Sequence, residues 1–146
     1  MRFFFYGTLI DADVRRIVLG ARAARAAPSR SAELRGWTRR AVRGVGYPII
    51  FPRADGRVHG VLVSGLDAQA RRRLEAYEGA DYEVVTVTVS LDGGRRKPAL
   101  VFAANRCGRL KPDTAAWNYE AWCATEKRAF LREIAGVQRV TFAATP

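Results

Sequence analysis

Four carboxylates, Glu75, Glu78, Asp81 and Glu83, fall within nine residues of a chain whose net charge is +11. Glu75 and Glu78 stand three apart, so on a helix they share a side. Both lie just ahead of Gly79, at a helix C-terminus, where the dipole disfavours negative charge and lifts a carboxylate toward the range useful for proton transfer. A solvated helix end, neutralised by neighbouring arginines, accounts for the same spacing, and spacing alone favours that account. The second stretch that could do chemistry is Phe5-Tyr6-Gly7-Thr8-Leu9. A strand running into a glycine turn ahead of a helix start leaves backbone N–H groups pointing outward, able to hold a carboxylate or phosphate. A plain turn, with Gly7 supplying an unusual dihedral, explains it equally well.

Other reaction classes thin out quickly. His59 is the only imidazole, and it stands in Val58-His59-Gly60-Val61 with no acidic neighbour in sequence, so it reads as a strand histidine and not as a base. Cys107 and Cys123 do not make a disulfide framework, and with one histidine they lack the spacing of a zinc site. Cys123, beside Trp122, reads as core. Neither a metal nor a cofactor is expected. The positive charge is nearly all arginine, scattered along the chain and not interleaved with aromatics; the lysines are Lys97, Lys111 and Lys127. A bias toward arginine and alanine accounts for it better than a nucleic-acid partner does, and a small anionic substrate suits it as well.

These residues must be positioned by elements that hydrophobic periodicity and turn residues outline. Arg2 to Phe5 reads as a buried strand, followed by a helix capped by Asp11 and closed by Gly20. Ala21 to Arg30 reads as a connection. Ala32 to Val42 is strand-like, Gly44, Gly46 and Tyr47-Pro48 bend the chain before Ile49-Ile50-Phe51, and Pro52 to Gly56 reads as a turn. Arg57 to Val63 is a further strand, in which Gly60 marks a kink or a close backbone approach. Asp67 caps a helix that ends at Gly79, with Ala70, Leu74 and Tyr77 on its apolar side. Val85, Val87, Val89 and Leu91 alternate with polar residues, Asp92-Gly93-Gly94 turns the chain, and Pro98 to Ala103 returns, which makes a hairpin. A last helix is expected from about Thr114 to Ala135, between Pro112 and Gly136. The order β-α-β-β-β-α-β-β-α has too few βαβ units for a doubly wound sheet; an α+β fold, a small mixed barrel or curled sheet with helices at its rim, fits best. With 146 residues, a single domain spanning 1–146 is expected. The apolar Phe3-Phe4-Phe5 is too short for a signal-peptide core or a membrane span, so a cytoplasmic location is expected.

The order and spacing of Tyr6-Gly7-Thr8-Leu9, Gly46-Tyr47-Pro48, Val58-x-Gly60 and Leu74-x-x-Tyr77-Glu78-Gly79 with Tyr82 following resemble the γ-glutamylcyclotransferase-like family, which includes plant avirulence-induced homologues. The motifs run from Phe3 to about Val89, and the expected strands and aromatic helix carry the likeness onward to Phe130. The resemblance implies a barrel of five or six strands with flanking helices around a polar cavity. It implies Glu78 as catalytic acid/base, backbone N–H groups of Tyr6, Gly7, Thr8 and Leu9 on the substrate, and Tyr82 lining the cavity. It also implies a γ-glutamyl amine as substrate, cyclised to 5-oxoproline with release of the amine and no cofactor. A binding module of the same fold that captures a small carboxylate without turnover is the alternative. Related sequences often carry arginine two positions after the tyrosine, where this chain has Val84.

Overall fold

The computed structural model describes residues 1–105 and 108–143, with side chains as far as Val137; Cys107 lies outside the described residues. Five strands close into a barrel in the order β1-β3-β2-β4-β5. They are β1 (Phe3–Phe5), β2 (Ser29–Ala41), β3 (Pro48–Val63), β4 (Tyr82–Leu91) and β5 (Arg96–Ala104). The helices are α1 (Ala12–Leu19), α2 (Ala21–Ala26), α3 (Ala68–Glu78), α4 (Tyr119–Thr125) and α5 (Lys127–Ala143), and a short 3₁₀ turn, Thr8–Ile10, follows β1. The fold is α+β, a small mixed barrel with flanking helices. β1 closes it, antiparallel to β3 through Phe3↔Val63 and parallel to β5 at Phe3↔Leu100.

Strand alternation divides the core in two. Phe4 points into the barrel with Leu34, Ile50, Val58 and Val101. Phe3 and Phe5 point the other way, onto Val14, Val18, Leu74 and Trp122 beneath the helices. Each such side chain contributes about 1.5–3 kcal/mol by leaving water. Trp122 is 2 % exposed, packs edge-on to Phe130 at 5.4 Å between ring centroids, and its indole N–H finds no hydrogen-bond partner among the described residues.

Three sequence expectations give way. Pro52 to Gly56 is not a turn: β3 runs unbroken from Pro48 to Val63. Its register against β2 shifts where Arg35 pairs with Arg57 and Trp37 with Pro52, so residues 53–56 are a surplus that β3 bulges out opposite Gly36, which adopts φ +84°. Gly56 serves the same irregularity, because a Cβ there would lie 2.2 Å from the Trp37 carbonyl oxygen. Ala21 to Arg30 is not a plain connection: its alanines form α2, and β2 begins at Ser29. The last helix begins at Tyr119, not Thr114. Asn118 caps α4 through a hydrogen bond from the Ala121 N–H, Glu126 breaks the helix, and α5 continues past Gly136. Residues just before Asn118 are tied to β2 and the loop after it, since Ala41 N–H donates to Ala115 and the Trp117 indole donates to Gly46. The close approach expected of Gly60 is present, with the Phe5 carbonyl oxygen 2.1 Å from where a Cβ would stand.

Candidate functional site

Beyond Phe5 the chain leaves the barrel, and two side chains fix the direction it takes. The Tyr6 hydroxyl donates to the Phe102 carbonyl across the barrel. Arg39 donates to the Tyr6 carbonyl at 2.7 Å and to the His59 carbonyl at 3.0 Å, with its guanidinium 5.3 Å from the centre of the Trp117 ring. In a trans peptide the N–H lies opposite the C=O, so the Arg39 contact turns the Gly7 N–H away from itself. The Ile10 and Asp11 N–H groups close the turn onto Gly7 and Thr8 at 3.0 and 3.1 Å, while no hydrogen bond engages the N–H of Gly7, Thr8 or Leu9 among the described residues. Gly7 has φ −119° and ψ −137°, an uncommon pair, though not the left-handed φ that favours glycine. A Cβ there would also crowd the Pro48 ring, 3.0 Å from its Cδ.

Glu78 is the last residue of α3, and Gly79 follows it with φ +76° and ψ −171°, a conformation open to glycine that turns the chain toward β4. Beside Glu78 in sequence, the Tyr77 hydroxyl shares a 2.6 Å hydrogen bond with Thr8 Oγ1, tying α3 to the loop. The Tyr82 hydroxyl donates to the Pro48 carbonyl at 3.0 Å, and the Tyr47 ring lies 6.5 Å from that of Tyr82. An inner recess of about 30 Å³, lined by Tyr6 to Leu9, opens beside a cleft of about 330 Å³ between α3 and α5. Thr8, Tyr47, Glu78 and Tyr82 face both.

As a residue Glu78 is half-exposed, because it borders this cavity, yet the protein packed around its carboxyl pushes its pKa up to about 8. The cause is burial. No hydrogen bond or ion pair reaches that carboxyl among the described residues. The four surrounding tyrosines are neutral when it titrates, so they do not counter the shift. Its charge acts on them instead: burial first, then Glu78, raises Tyr6 and Tyr82, and both push up Tyr77 against the hydrogen bond from Thr8. For Tyr47 burial is followed by Asp81 and then Glu78.

All six residues singled out in the sequence border the inner recess, but not all by their side chains. Leu9 is buried in the core, and the Tyr6 hydroxyl is committed to Phe102, so both can face a ligand only through backbone. Glu75 parts company with Glu78, for it is exposed and paired with Arg71 at 2.9 Å. His59 is a strand residue lying outside this cavity. Strand pairing sets Glu33 opposite it, 3.6 Å from Nε2, a neighbour that sequence proximity cannot show. Cys123 is half-buried against the core, and Val84 packs there too, opposite Phe102. Sequence reasoning misses Arg39, Tyr47 and the α5 side of the cleft. Tyr77 it places on an apolar helix face and in the motif of the resemblance, without a site role. Among the described residues no group of three or more His, Cys, Asp or Glu is arranged to hold a metal ion, and no helix is long and apolar enough to cross a membrane.

Comparison with known proteins gives these features a context. The family model described as "Gamma-glutamyl cyclotransferase, AIG2-like" matches residues 3–124. AIG2-like protein A of Arabidopsis thaliana is 33% identical over 129 residues, covering 88% of this chain and 75% of that protein. A solution structure from Arabidopsis thaliana superposes with a TM-score of 0.67 at 28% identity, over 96% of this chain and 91% of the other. A structure called gamma-glutamyl cyclotransferase superposes with a TM-score of 0.61 over 92% of this chain and 85% of the other; at 13% identity that is a likeness of fold.

Proposed function

Because the chain belongs to the γ-glutamyl cyclotransferase, AIG2-like family, we propose that it cyclises a γ-glutamyl amine to 5-oxoproline and releases the free amine. The observation that carries the reading is a carboxyl pushed up to about 8 by burial, facing the same recess as a row of unengaged backbone N–H groups. Perturbed acids in a cleft beside oriented N–H donors are what proton transfer at a carbonyl requires.

The reaction needs no nucleophile from the protein, because the substrate's own α-nitrogen attacks its γ-carbonyl carbon. Glu78, as carboxylate, takes a proton from the α-ammonium. The freed amine adds to the carbonyl and closes a five-membered ring. The old carbon–nitrogen bond then breaks as protons reach the departing nitrogen. Of the three ammonium protons, one stays on the lactam nitrogen and two leave with the amine as RNH₃⁺, so Glu78 carries two in turn and ends as it began. The N–H groups from Gly7 to Leu9 hold the substrate carboxylate, which bends the chain so that nitrogen and carbon meet. A pKa near 8 lets one carboxyl serve as base and acid near neutrality.

Glu78→Gln keeps the size and hydrogen-bonding reach of the side chain but cannot cycle a proton. We expect kcat for 5-oxoproline release to fall at least about a hundredfold, with the fold and ligand binding retained. Glu75→Gln, which changes a solvated carboxylate by the same chemistry, should stay within about twofold of the parent. Equal, mild effects from the two would remove the acid–base role. Binding of γ-glutamyl compounds by the parent without release would favour a carboxylate-binding module instead.

A further inference from the structure

The barrel has a second mouth, opposite the one that Tyr6, Pro48 and Tyr82 surround. There β1, β2 and β5 begin, and β3 and β4 end. Alternation determines what faces into it. Phe4, Ala32, Leu62, Val89 and Ala99 form the last buried layer inside the barrel, each 6 % exposed or less. Two residues further out, on the same face of each strand, stand Arg2, Arg30, Ser64, Leu91 and Lys97. These five, with Pro28 and Leu62, line a pocket of about 230 Å³. Backbone pairing carries through to this ring, since the Leu100 N–H donates to the Arg2 carbonyl at 2.9 Å and the Ser64 N–H to the Pro28 carbonyl at 3.0 Å. The sheet itself therefore holds these positions. We propose that this ring, three cations and a hydroxyl above an apolar floor, binds the phosphate group of a small phosphorylated ligand.

No carboxylate lines the pocket. No ion pair or hydrogen bond engages the side chain of Arg2, Arg30 or Lys97 among the described residues. The nearby acids are used elsewhere: Glu33, on the other face of β2, meets Arg35 and Arg57 at 3.0 and 3.9 Å, and Asp92 lines the adjoining groove with Arg96. Three like charges converging on one mouth repel one another, and a bound dianion relieves that. A concavity of one sign over a low-dielectric floor also focuses its field and concentrates anions. Guanidinium donors match phosphate oxygens, the ammonium adds a point charge, and the Ser64 hydroxyl can donate a further hydrogen bond. Shape favours a small ligand over a nucleic-acid strand, because the pocket is closed below by the buried layer and no aromatic side chain lines it for bases to stack on. The site shares no residue with the recess at Glu78, so it stands whatever reaction occurs there.

Calorimetric titration of the whole chain with inorganic pyrophosphate tests the proposal. We expect saturable binding with a Kd below about 1 mM, weakened at least about tenfold by Arg30→Gln and by Lys97→Gln. Lys97→Arg, which keeps the charge, should bind within about threefold of the parent. Arg72→Gln removes an equal charge from the exposed face of α3 and should stay within about twofold. Pyrophosphate should also raise the Tm of the parent and leave that of Arg30→Gln unchanged. If a variant melts early without ligand, amide NMR shifts in the parent decide: changes gathered on Arg2, Arg30, Ser64 and Lys97 uphold the site, and changes spread over arginines elsewhere end it. Absence of saturable binding overturns the proposal and leaves the ring a solvated cap. An equal loss in Arg72→Gln and Lys97→Gln overturns it as well, since net charge alone would then account for binding. Oligonucleotide affinity that climbs from about four to about twelve nucleotides, with pyrophosphate unbound, would assign the ring to a nucleic-acid backbone and end the small-ligand reading.

Discussion

A carboxyl that is neutral in the folded protein at pH 7 and ionised in the unfolded chain makes stability depend on pH in a definite direction. The ordinary value for Glu78 is 4.5 and the folded value about 8, so between those two the folded state holds a proton that the unfolded state has lost. Stability therefore falls as pH rises through that window and levels off above it. Glu78→Gln removes the dependence. We expect the variant and parent to match near pH 4 and the variant to be more stable by about 1–3 kcal/mol at pH 9, an amount reduced from the full linkage because the residue borders cleft water. Urea denaturation at the two pH values checks it; a variant less stable at pH 9 would show that the carboxylate is not held at a cost. The same proton should appear in catalysis as a limb of kcat/KM rising to an apparent pKa near 8, absent in Glu78→Gln. The acidic cluster is visible in the sequence, but which acid turns inward is not. Three residues of helix leave Glu75 and Glu78 within reach of either environment, and Arg71 decides for one of them. Arg39 is hidden for a different reason: its hold on the Tyr6 carbonyl spans 33 residues, and nothing local separates it from other arginines.

Among the elements, α1, α4 and α5 are joined through one buried side chain. Asp11, 2 % exposed, caps α1 with one oxygen, accepting from the Asp13 and Val14 N–H groups. Its other oxygen accepts from the Tyr119 hydroxyl of α4 at 2.8 Å and meets the Lys127 ammonium of α5 at 2.8 Å. Burial pushes this carboxyl up, but Lys127, Tyr119 and Val14 together outweigh it and hold it below its ordinary value; Asp11 and Asp13 in turn raise Lys127. Asp11→Ala removes a cap and leaves a half-buried ammonium short of a partner, a loss of about 3 kcal/mol at pH 7. The stabilisation from a lowered carboxyl is present above its unfolded value of 3.8 and is lost as pH falls through the folded one. The gap between parent and variant should therefore narrow in acid, as thermal melts at pH 7 and pH 3 would show. A gap unchanged by pH would assign the effect to packing. Asp11 as a cap is legible from its place before an apolar stripe. Its bond to Lys127, 116 positions later, is not, and neither is the break at Glu126 that brings Lys127 to it.

At the scale of the whole molecule, closure depends on how near β1 can come to β3. The Phe5 carbonyl passes over Gly60 at a distance that no side chain allows, and the Phe4 ring crowds the same spot at 2.9 Å. Gly60→Ala must push β1 outward, and with it the loop that β1 delivers; a loss of about 2–4 kcal/mol and a parallel loss of turnover are expected. Unchanged melting and activity would mean that β1 is free to shift. The barrel is legible because alternation marks β4, the Asp92-Gly93-Gly94 hairpin and the Phe3-Phe4-Phe5 strand. The long β3 is not, because proline and glycine, which usually end strands, here sit at a bulge. The dry indole of Trp122 has an optical consequence. An excited indole relaxes against mobile dipoles, and this one, buried and with no hydrogen-bond acceptor among the described residues, has few to relax against, so its emission should lie well to the blue. Since Trp122 rides on α4 and touches Phe130 of α5, unseating these helices would wet it and move the emission red. With Trp37 and Trp117 replaced by phenylalanine, the protein carries its own gauge of whether the wall of the cleft is in place. The red shift should precede global unfolding in Asp11→Ala and coincide with it in the parent.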